Sequence, residues 1–456
     1  MSVAAASTTP VRRRFLPRPA SALVWAAVGW GAAGATASLG WIPAQAWAVA
    51  GAALALLAAG DLAWLWRTAV PDVARRVPEA LALGVEREVA LELEPGARAV
   101  RVDVHDLHPG GWAVSGLPRR VALAPGTVST VRYLARPDVR GTFAFDGVHL
   151  VLHSPLRLWR RLCLAGAAQR VRVFPDFAPL SKFALVSAER ASRMIGAHLR
   201  RRRGEGTDFH QMREYRVGDS LRQIDWKATS RARKLISREY QDEQNQQLVV
   251  VLDTGRRMLA REPAGDGGSD GLSHFDHALD ASLLVAWLAL RRGDAVGLYA
   301  TGGERRWVPP RRGMATIDTL LRASYDLQPA PVATDYLAAA TELSLRQRRR
   351  GLLMLVTNLR DEDLDDLLAA VRLLQKRHLV VVASLREREL DAVLEQDVPD
   401  LAAAVRAGAT ARYLAQRAAA HDALRRHRVA VLDVTAAQLP GALVERYLAI
   451  KREGLL

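Results

Sequence analysis

The chain has 456 residues, half of them hydrophobic and a quarter charged, with a formal net charge of +16 and a single cysteine, Cys163. That length allows two or three domains at ~100–200 residues each, and the composition can fill apolar cores. One cysteine excludes an internal disulfide framework and fits a reducing compartment. The positive charge is unevenly placed: residues 1–188 carry 21 basic and 12 acidic groups, residues 189–240 carry 14 and 7, and residues 241–456 carry 29 of each. The largest domain is therefore neutral. Only five of the 64 basic residues are lysine, which with the abundant alanine reads as a GC-rich coding bias. No basic groove interleaved with aromatics is visible, so nucleic acid is not the expected partner.

Residues 1–19 form a basic N-terminus, and no residue between Arg18 and Asp61 is charged. A hydrocarbon core about 30 Å thick takes ~20 apolar residues per helix, so residues 20–66 supply two spans, Ala20 to Trp41 and Ala44 to Trp66, broken by Trp41-Ile42-Pro43. A signal peptide is the rival reading of the first span, but no clean cleavage region separates it from the second. Arg12, Arg13, Arg14 and Arg18 precede the pair, and Arg67, Arg75 and Arg76 follow it. The positive-inside rule then places both ends in the cytoplasm. Asp61 reads as an interfacial acid near Arg67.

Residues 67–177 alternate apolar and polar side chains in Val85 to Leu93, Val100 to Val104, Val128 to Leu134 and Gly141 to Leu152, with Pro-Gly turns between them. This pattern predicts a small β-sandwich-like domain. Cys163, in an apolar setting flanked by arginines, reads as structural. Residues 178–246 read as a charged linker rich in aromatics and glycine. From residue 247 onward, apolar strands alternate with amphipathic helices: strands at Leu248 to Asp253, Asp294 to Ala300, Leu352 to Thr357, Leu379 to Leu385 and Val429 to Val434, and a long helical region ending near Arg428. That order implies an α/β domain with a parallel sheet covered on both faces, whose ligands gather at the carboxyl ends of the strands. The insert Gly265 to Gly271 lacks full calcium-loop spacing and reads as a flexible loop.

The block REYRVGDSLRQIDWKATSRARKL (Arg213 to Leu235), the phrase HSPLRLW (His153 to Trp159) and the apolar hairpin resemble the bacterial domain of unknown function 58. The strand order with Asp253 closing the first strand resembles a von Willebrand factor A domain. The resemblance covers nearly the whole chain. It implies a Rossmann-like parallel sheet and partnership with a MoxR-type AAA+ ATPase, and it carries no enzymatic activity. Such domains hold a divalent cation through Asp-x-Ser-x-Ser, a later threonine and a later aspartate. This chain has Asp253-Thr254-Gly255-Arg256-Arg257, with Thr334 and Asn358 at the later positions. Both serines are absent, and a hard cation such as Mg2+ needs several oxygens in near-octahedral order. Occupation of Asp253, Thr334 and Asn358 by a metal is therefore not expected, and no other cofactor is.

The arginines Arg256 and Arg257 suit ionic contact with a partner or with Asp253 itself. Asp361, Glu362 and Asp363 are explained by the helix dipole. In the signature block, Arg213, Tyr215, Arg216 and Trp226 are the residue types that dominate interfaces. Glu214, Asp219 and Asp225 would neutralise the arginines and dock the block on the α/β sheet, with Gly218 making the turn. The expectation is thus a membrane-anchored, non-enzymatic adaptor that engages its ATPase through the top of the sheet around Asp253, Arg256, Arg257, Thr334 and Asn358. The competing reading is a membrane-associated hydrolase using His210, Asp219 and Asp225. No serine elbow, HExxH or phosphate loop accompanies that cluster. The sequence names no client protein.

Overall fold

Two compact units, residues 1–174 and residues 175–456, make up the chain. The computed structural model describes residues 13–176, 208–216, 221, 224–241, 246–262 and 271–455.

The first unit opens with strands β1 (Arg13–Arg14) and β2 (Arg18–Pro19), followed by helices α1 (Ser21–Ser38) and α2 (Ala44–Arg67). The first helix is shorter than its apolar run because Leu39 to Pro43 form the connection, with Gly40 at φ +77° and Pro43 as the N-cap of α2. The helices pack through two stacked indoles, Trp30 and Trp47, with centroids 4.5 Å apart. Each indole N–H donates to the other residue's backbone oxygen, at 3.2 and 3.0 Å. Gly51 makes room for this, since a Cβ there would lie 2.6 Å from Trp30 Nε1. Among the described residues, α2 alone is long and apolar enough to cross a membrane, and little of its apolar surface is buried. A soluble core helix would be covered; this bare surface associates the chain with a membrane.

Eleven more strands follow: β3 (Asp72–Arg76), β4 (Ala80–Ala82), β5 (Arg87–Glu94), β6 (Val100–Asp106), β7 (Ala113–Ser115), β8 (Arg119–Leu123), β9 (Ser129–Arg136), β10 (Gly141–Phe145), β11 (Val148–His153), β12 (Trp159–Ala165) and β13 (Gln169–Phe174). They form sheets ordered β1-β12-β11-β6-β8, with β2 also on β12, then β3-β5-β9-β7 and β10-β13-β4. The single strand expected over Gly141 to Leu152 divides at Gly147, whose φ of +136° breaks the extended run. A buried polar knot ties two sheets together: Arg75 of β3 pairs with Asp106 of β6, and Tyr133 of β9 donates to the same carboxylate at 2.5 Å. Cys163 is buried on β12.

Asp61, read from sequence as an interfacial acid, meets the turn between β11 and β12. It is buried, and it accepts the backbone N–H groups of Leu156 at 3.1 Å and Leu158 at 3.2 Å. The HSPLRLW phrase is the β11–β12 turn, closed by Ser154 Oγ accepting from Trp159 N at 3.0 Å. That turn clasps the end of α2. Trp159 Nε1 donates to Ala58 O at 2.9 Å, and the buried Arg161 donates to Trp66 O and Thr68 O, carbonyls that the helix end leaves without partners.

In the second unit, β14 (Asp208–Glu214) and β15 (Ile236–Gln241) pair antiparallel around a short helix, α3 (Trp226–Ala232). These two strands bracket the signature block, whose first two residues, Arg213 and Glu214, end β14. The α/β part runs β16 (Gln247–Asp253), α4 (His274–Arg291), β17 (Ala295–Thr301), β18 (Arg306–Arg311), α5 (Ala315–Ser324), α6 (Tyr336–Arg346), β19 (Leu352–Thr357), α7 (Leu364–Gln375), β20 (Leu379–Arg386), α8 (Arg388–Glu395), α9 (Leu401–Arg426), β21 (Ala430–Thr435) and α10 (Leu439–Glu453). The long helical region expected before Arg428 is two helices, because Pro399 interrupts it and Asp400 caps the second.

The sheet is ordered β18-β17-β16-β19-β20-β21 and is parallel apart from β18. Alternate side chains of β16 enter different cores. Leu248, Val250 and Leu252 join α4, α5 and α10 on one face, while Val249 and Val251 join α6, α7 and α9 on the other. Strand order reverses between β16 and β19, so the carboxyl ends of these two strands flank the crevice where such sheets place their ligands.

Candidate functional site

Donors from three chain segments converge on the fully buried Asp253 at the end of β16. Gly255 N donates to its Oδ1 at 2.7 Å and Thr334 Oγ1 to the same oxygen at 2.5 Å. Tyr336 OH and Thr357 Oγ1 donate to Oδ2 at 2.9 and 2.6 Å. Both oxygens thus hold two donors each. Burial, then the nearby carboxylate, pushes the Tyr336 phenol well above its ordinary range.

Two glycines close the pocket. A Cβ on Gly255 would lie 3.0 Å from Asp253 Oδ1 and from Val332 O, and nearer still to Thr334 Oγ1. A Cβ on Gly302 would lie 2.6 Å from Thr334 Oγ1 and from Gly255 N. The residues present do not fit a divalent cation. One carboxylate already saturated by hydrogen-bond donors, with a glycine where a second hydroxyl would stand, is not a hard-cation ligand set. Among the described residues, no group of three or more His, Cys, Asp or Glu side chains is arranged to hold a metal.

Thr334 lies where the motif anticipates, against Asp253, but Asn358 does not. Its side chain faces the other way: Nδ2 donates to Glu387 Oε1 at 3.1 Å, and Oδ1 accepts from Arg417 Nη1 at 3.0 Å. Arg417, on α9, is almost fully buried against the carboxyl ends of β19, β20 and β21. It donates to Leu359 O at 2.8 Å, to Ser384 Oγ and Leu385 O at 2.6 Å, and to Asp433 Oδ1 at 3.1 Å. A permanent cation from within the chain therefore plugs this half of the crest. His421, one turn along the same helix, is pulled down to about 4 by burial and then by the Arg417 charge.

Arg256 and Arg257 do not pair with Asp253. Arg257 bonds Glu362 at 2.5 Å and Asp363 at 3.1 Å, and Arg256 stands 3.6 Å from Glu362. Burial opposes the Arg257 charge, but its two acidic partners outweigh that and raise it, while Arg257 in turn lowers Glu362. Glu362 and Asp363 are thus partners of a clamp between the loops after β16 and β19 as well as acids at a helix start. Being fully buried, Asp253 and Asn358 cannot touch another protein. The accessible rim consists of Arg256, Glu362, Leu259, Val332 and Leu337.

In the signature block, Asp225 is the buried N-cap of α3, accepting from Lys227 N and Ala228 N at 3.0 Å. Both of these bonds fall on Oδ1. Trp226 is 67% exposed. Arg213 donates to the Glu214 backbone at 3.2 Å, Glu214 pairs with Lys234 at 3.7 Å, and Tyr215 N donates to Leu235 O at 2.8 Å. Arg216 is exposed. Gly218, Asp219, Arg200 to Arg203 and most of the 265–271 insert lie outside the described residues, as does the side chain of His210.

Sequence reasoning missed Tyr336, Thr357, Gly302 and Arg417. Thr357 had a signal, since it ends the strand neighbouring β16 and so arrives beside Asp253. Arg417 had none: it is one arginine among several on a polar helix, and only the packing of α9 buries it.

Residues 211–430 match the family model described as "Protein of unknown function DUF58". Uncharacterized proteins of Mycobacterium tuberculosis and Mycobacterium bovis are 28% identical over 166 residues, 36% of this chain. The chain spans half (50%) of the length of these curated relatives. Solved structures similar to parts of it include an aerotolerance-related membrane protein from Bacteroides fragilis, with 16% identity, TM-score 0.21, and coverage of 30% of this chain and 67% of that one. The CARDB domain of a Pyrococcus furiosus protein is 12% identical with TM-score 0.15, covering 24% of this chain and 90% of that one. Likenesses at such scores carry no argument about function.

Proposed function

We propose that this protein is a membrane-anchored, non-enzymatic interaction adaptor. Its helices α1 and α2 cross the bilayer as a hairpin with both ends cytoplasmic, and its α/β part is a von Willebrand factor A-type domain that works with a MoxR-type AAA+ ATPase in assembly or maturation of a complex. One observation carries the reading: the acid at the switch point of the sheet is sealed by four protein donors and two glycines. The buried carboxylate itself is therefore closed to a partner, which would meet the surface around it. Around the sealed carboxylate stands a rim of Arg256 and Glu362 with the exposed Leu259, Val332 and Leu337, a mixture of charge and apolar area suited to protein recognition. The sheet order and the Asp253–Thr334 pairing support the A-type assignment.

The test is co-purification from detergent-solubilised membranes. The full chain should retain an AAA+ ATPase, and Arg256→Glu should reduce recovery at least tenfold while leaving the Arg257 clamp in place. Recovery that is indifferent to Arg256→Glu and to Val332→Asp would remove the crest from the interface. Catalytic turnover by the purified chain alone would remove the adaptor reading altogether.

A further inference from the structure

A row of three arginines and a histidine crosses the outer face of the first unit's largest sheet. Arg18 of β2 lies opposite Arg160 of β12, Arg160 opposite His153 of β11, and His153 opposite Arg101 of β6. The three arginines are exposed, and none of them has a carboxylate partner among the described residues. The one acid on this part of the face, Asp103, is already engaged by Arg120 at 2.6 Å and by His153 at 2.8 Å. Like charges set directly opposite on neighbouring strands destabilise a sheet. Arg18 and Arg160 are such a pair, and an anion bound between them would relieve the repulsion.

The position of the row identifies that anion. Arg18 lies three residues before α1, and Ala20 N donates to Leu158 O at 2.8 Å. Arg160 follows Trp159, whose indole is bonded to Ala58 in the last turns of α2. The row is thus the edge of the sheet nearest the apolar helices. Beside it the β11–β12 turn, clasped by Asp61, leaves Leu156 53% exposed, and Trp66 at the helix end is 56% exposed. Cations backed by exposed apolar side chains at the end of a membrane helix match the headgroup layer. Arginine also bonds phosphate oxygens bidentately.

We propose that Arg18, Arg101 and Arg160 form a docking surface for the phosphates of anionic phospholipid headgroups, seating the β unit on the membrane. The inference rests on the reading of α2 as a membrane helix and is independent of the ATPase partnership. The lipid commits the surface to one occupant, because soluble anions would not require the row to lie at the helix ends.

The full chain, purified in neutral detergent and equilibrated with equal phosphatidylglycerol and phosphatidylcholine of matched acyl chains, is analysed for co-retained lipid by native mass spectrometry. The wild type should enrich phosphatidylglycerol. At about fivefold per arginine near an anionic surface, Arg18→Gln/Arg101→Gln/Arg160→Gln should lose at least fivefold of that enrichment. The matched control Arg87→Gln/Arg119→Gln/Arg170→Gln, at the far ends of their strands, should keep it. Arg160→Gln alone should show an intermediate loss, which secures the result if the triple variant folds poorly. Equal enrichment in wild type and row variant overturns the proposal, as does equal loss in the control. Displacement of the lipid by millimolar inorganic phosphate would make the row a free-anion site and overturns it too. Carbonate extraction of the chain from membranes is a separate measurement, and its release would remove the membrane reading and not the charge row.

Discussion

Gly255 stands at a position to which the resemblance to a von Willebrand factor A domain would give a serine, and its replacement by alanine isolates the packing around Asp253. The backbone there has φ −81° and ψ −177°, so alanine adopts it without strain. The lower entropy of the unfolded chain would alone favour alanine by about 0.4–1 kcal/mol. Against this, the new Cβ lies 3.0 Å from Asp253 Oδ1 and Val332 O and presses on Thr334 Oγ1. Overpacking of that kind costs about 1–3 kcal/mol, and displacing the Thr334 hydroxyl from the carboxylate forfeits a charged hydrogen bond of about 1.5–3 kcal/mol. The net expectation is a local loss of about 2–4 kcal/mol. Hydrogen exchange of the full chain in detergent reads it as amide exchange over β16 and residues 329–336 accelerated by about 30- to 1000-fold, at ~1.4 kcal/mol per decade. Unchanged or slower exchange would refute the sealed-pocket reasoning. Gly255→Ser restores the motif hydroxyl, yet 10 mM Mg2+ should not protect it. A real site of 100 μM affinity would add about 2.7 kcal/mol under those conditions, and such protection would equally refute the argument.

Arg417→Met should destabilise the β19–β21 edge by about 3–5 kcal/mol, the range for breaking a buried ionic network from one side. Exchange in those three strands checks it, and a loss below about 1 kcal/mol would mean that water replaces the guanidinium. His421 titrates near 4 in the fold and near its ordinary 6.5 when unfolded. The unfolded chain therefore takes up the proton first, and stability present above about pH 6.5 is lost as pH falls toward 4. At ~1.36 kcal/mol per pH unit this amounts to about 3 kcal/mol. His421→Gln should flatten that part of the pH–stability curve, and an unchanged slope would place the acid sensitivity elsewhere. Asp61→Ala should free the Leu156 and Leu158 amides of the β11–β12 turn, costing about 1–3 kcal/mol locally. Faster exchange confined to residues 154–159 and the last turns of α2 is the expected signature, and slow exchange throughout would show that the clasp rests on Trp159 and Arg161 alone.

The sequence by itself determined the parts governed by local periodicity. The charge-free run ending at Asp61, the alternating strands and the apolar β16, β19 and β20 were legible because each reflects its own burial pattern. The Asp253–Thr334 pairing was legible through a motif. What only the tertiary structure decided is where charged side chains find partners. Asp61 serves a turn 95 residues away, Arg257 serves acids beyond β19, Asn358 turns to Arg417, and Asp225 caps a helix. A charged residue looks alike in any linear sequence. Its role depends on which donors and acceptors long-range packing brings within about 3 Å, where electrostatic and hydrogen-bond energies become decisive.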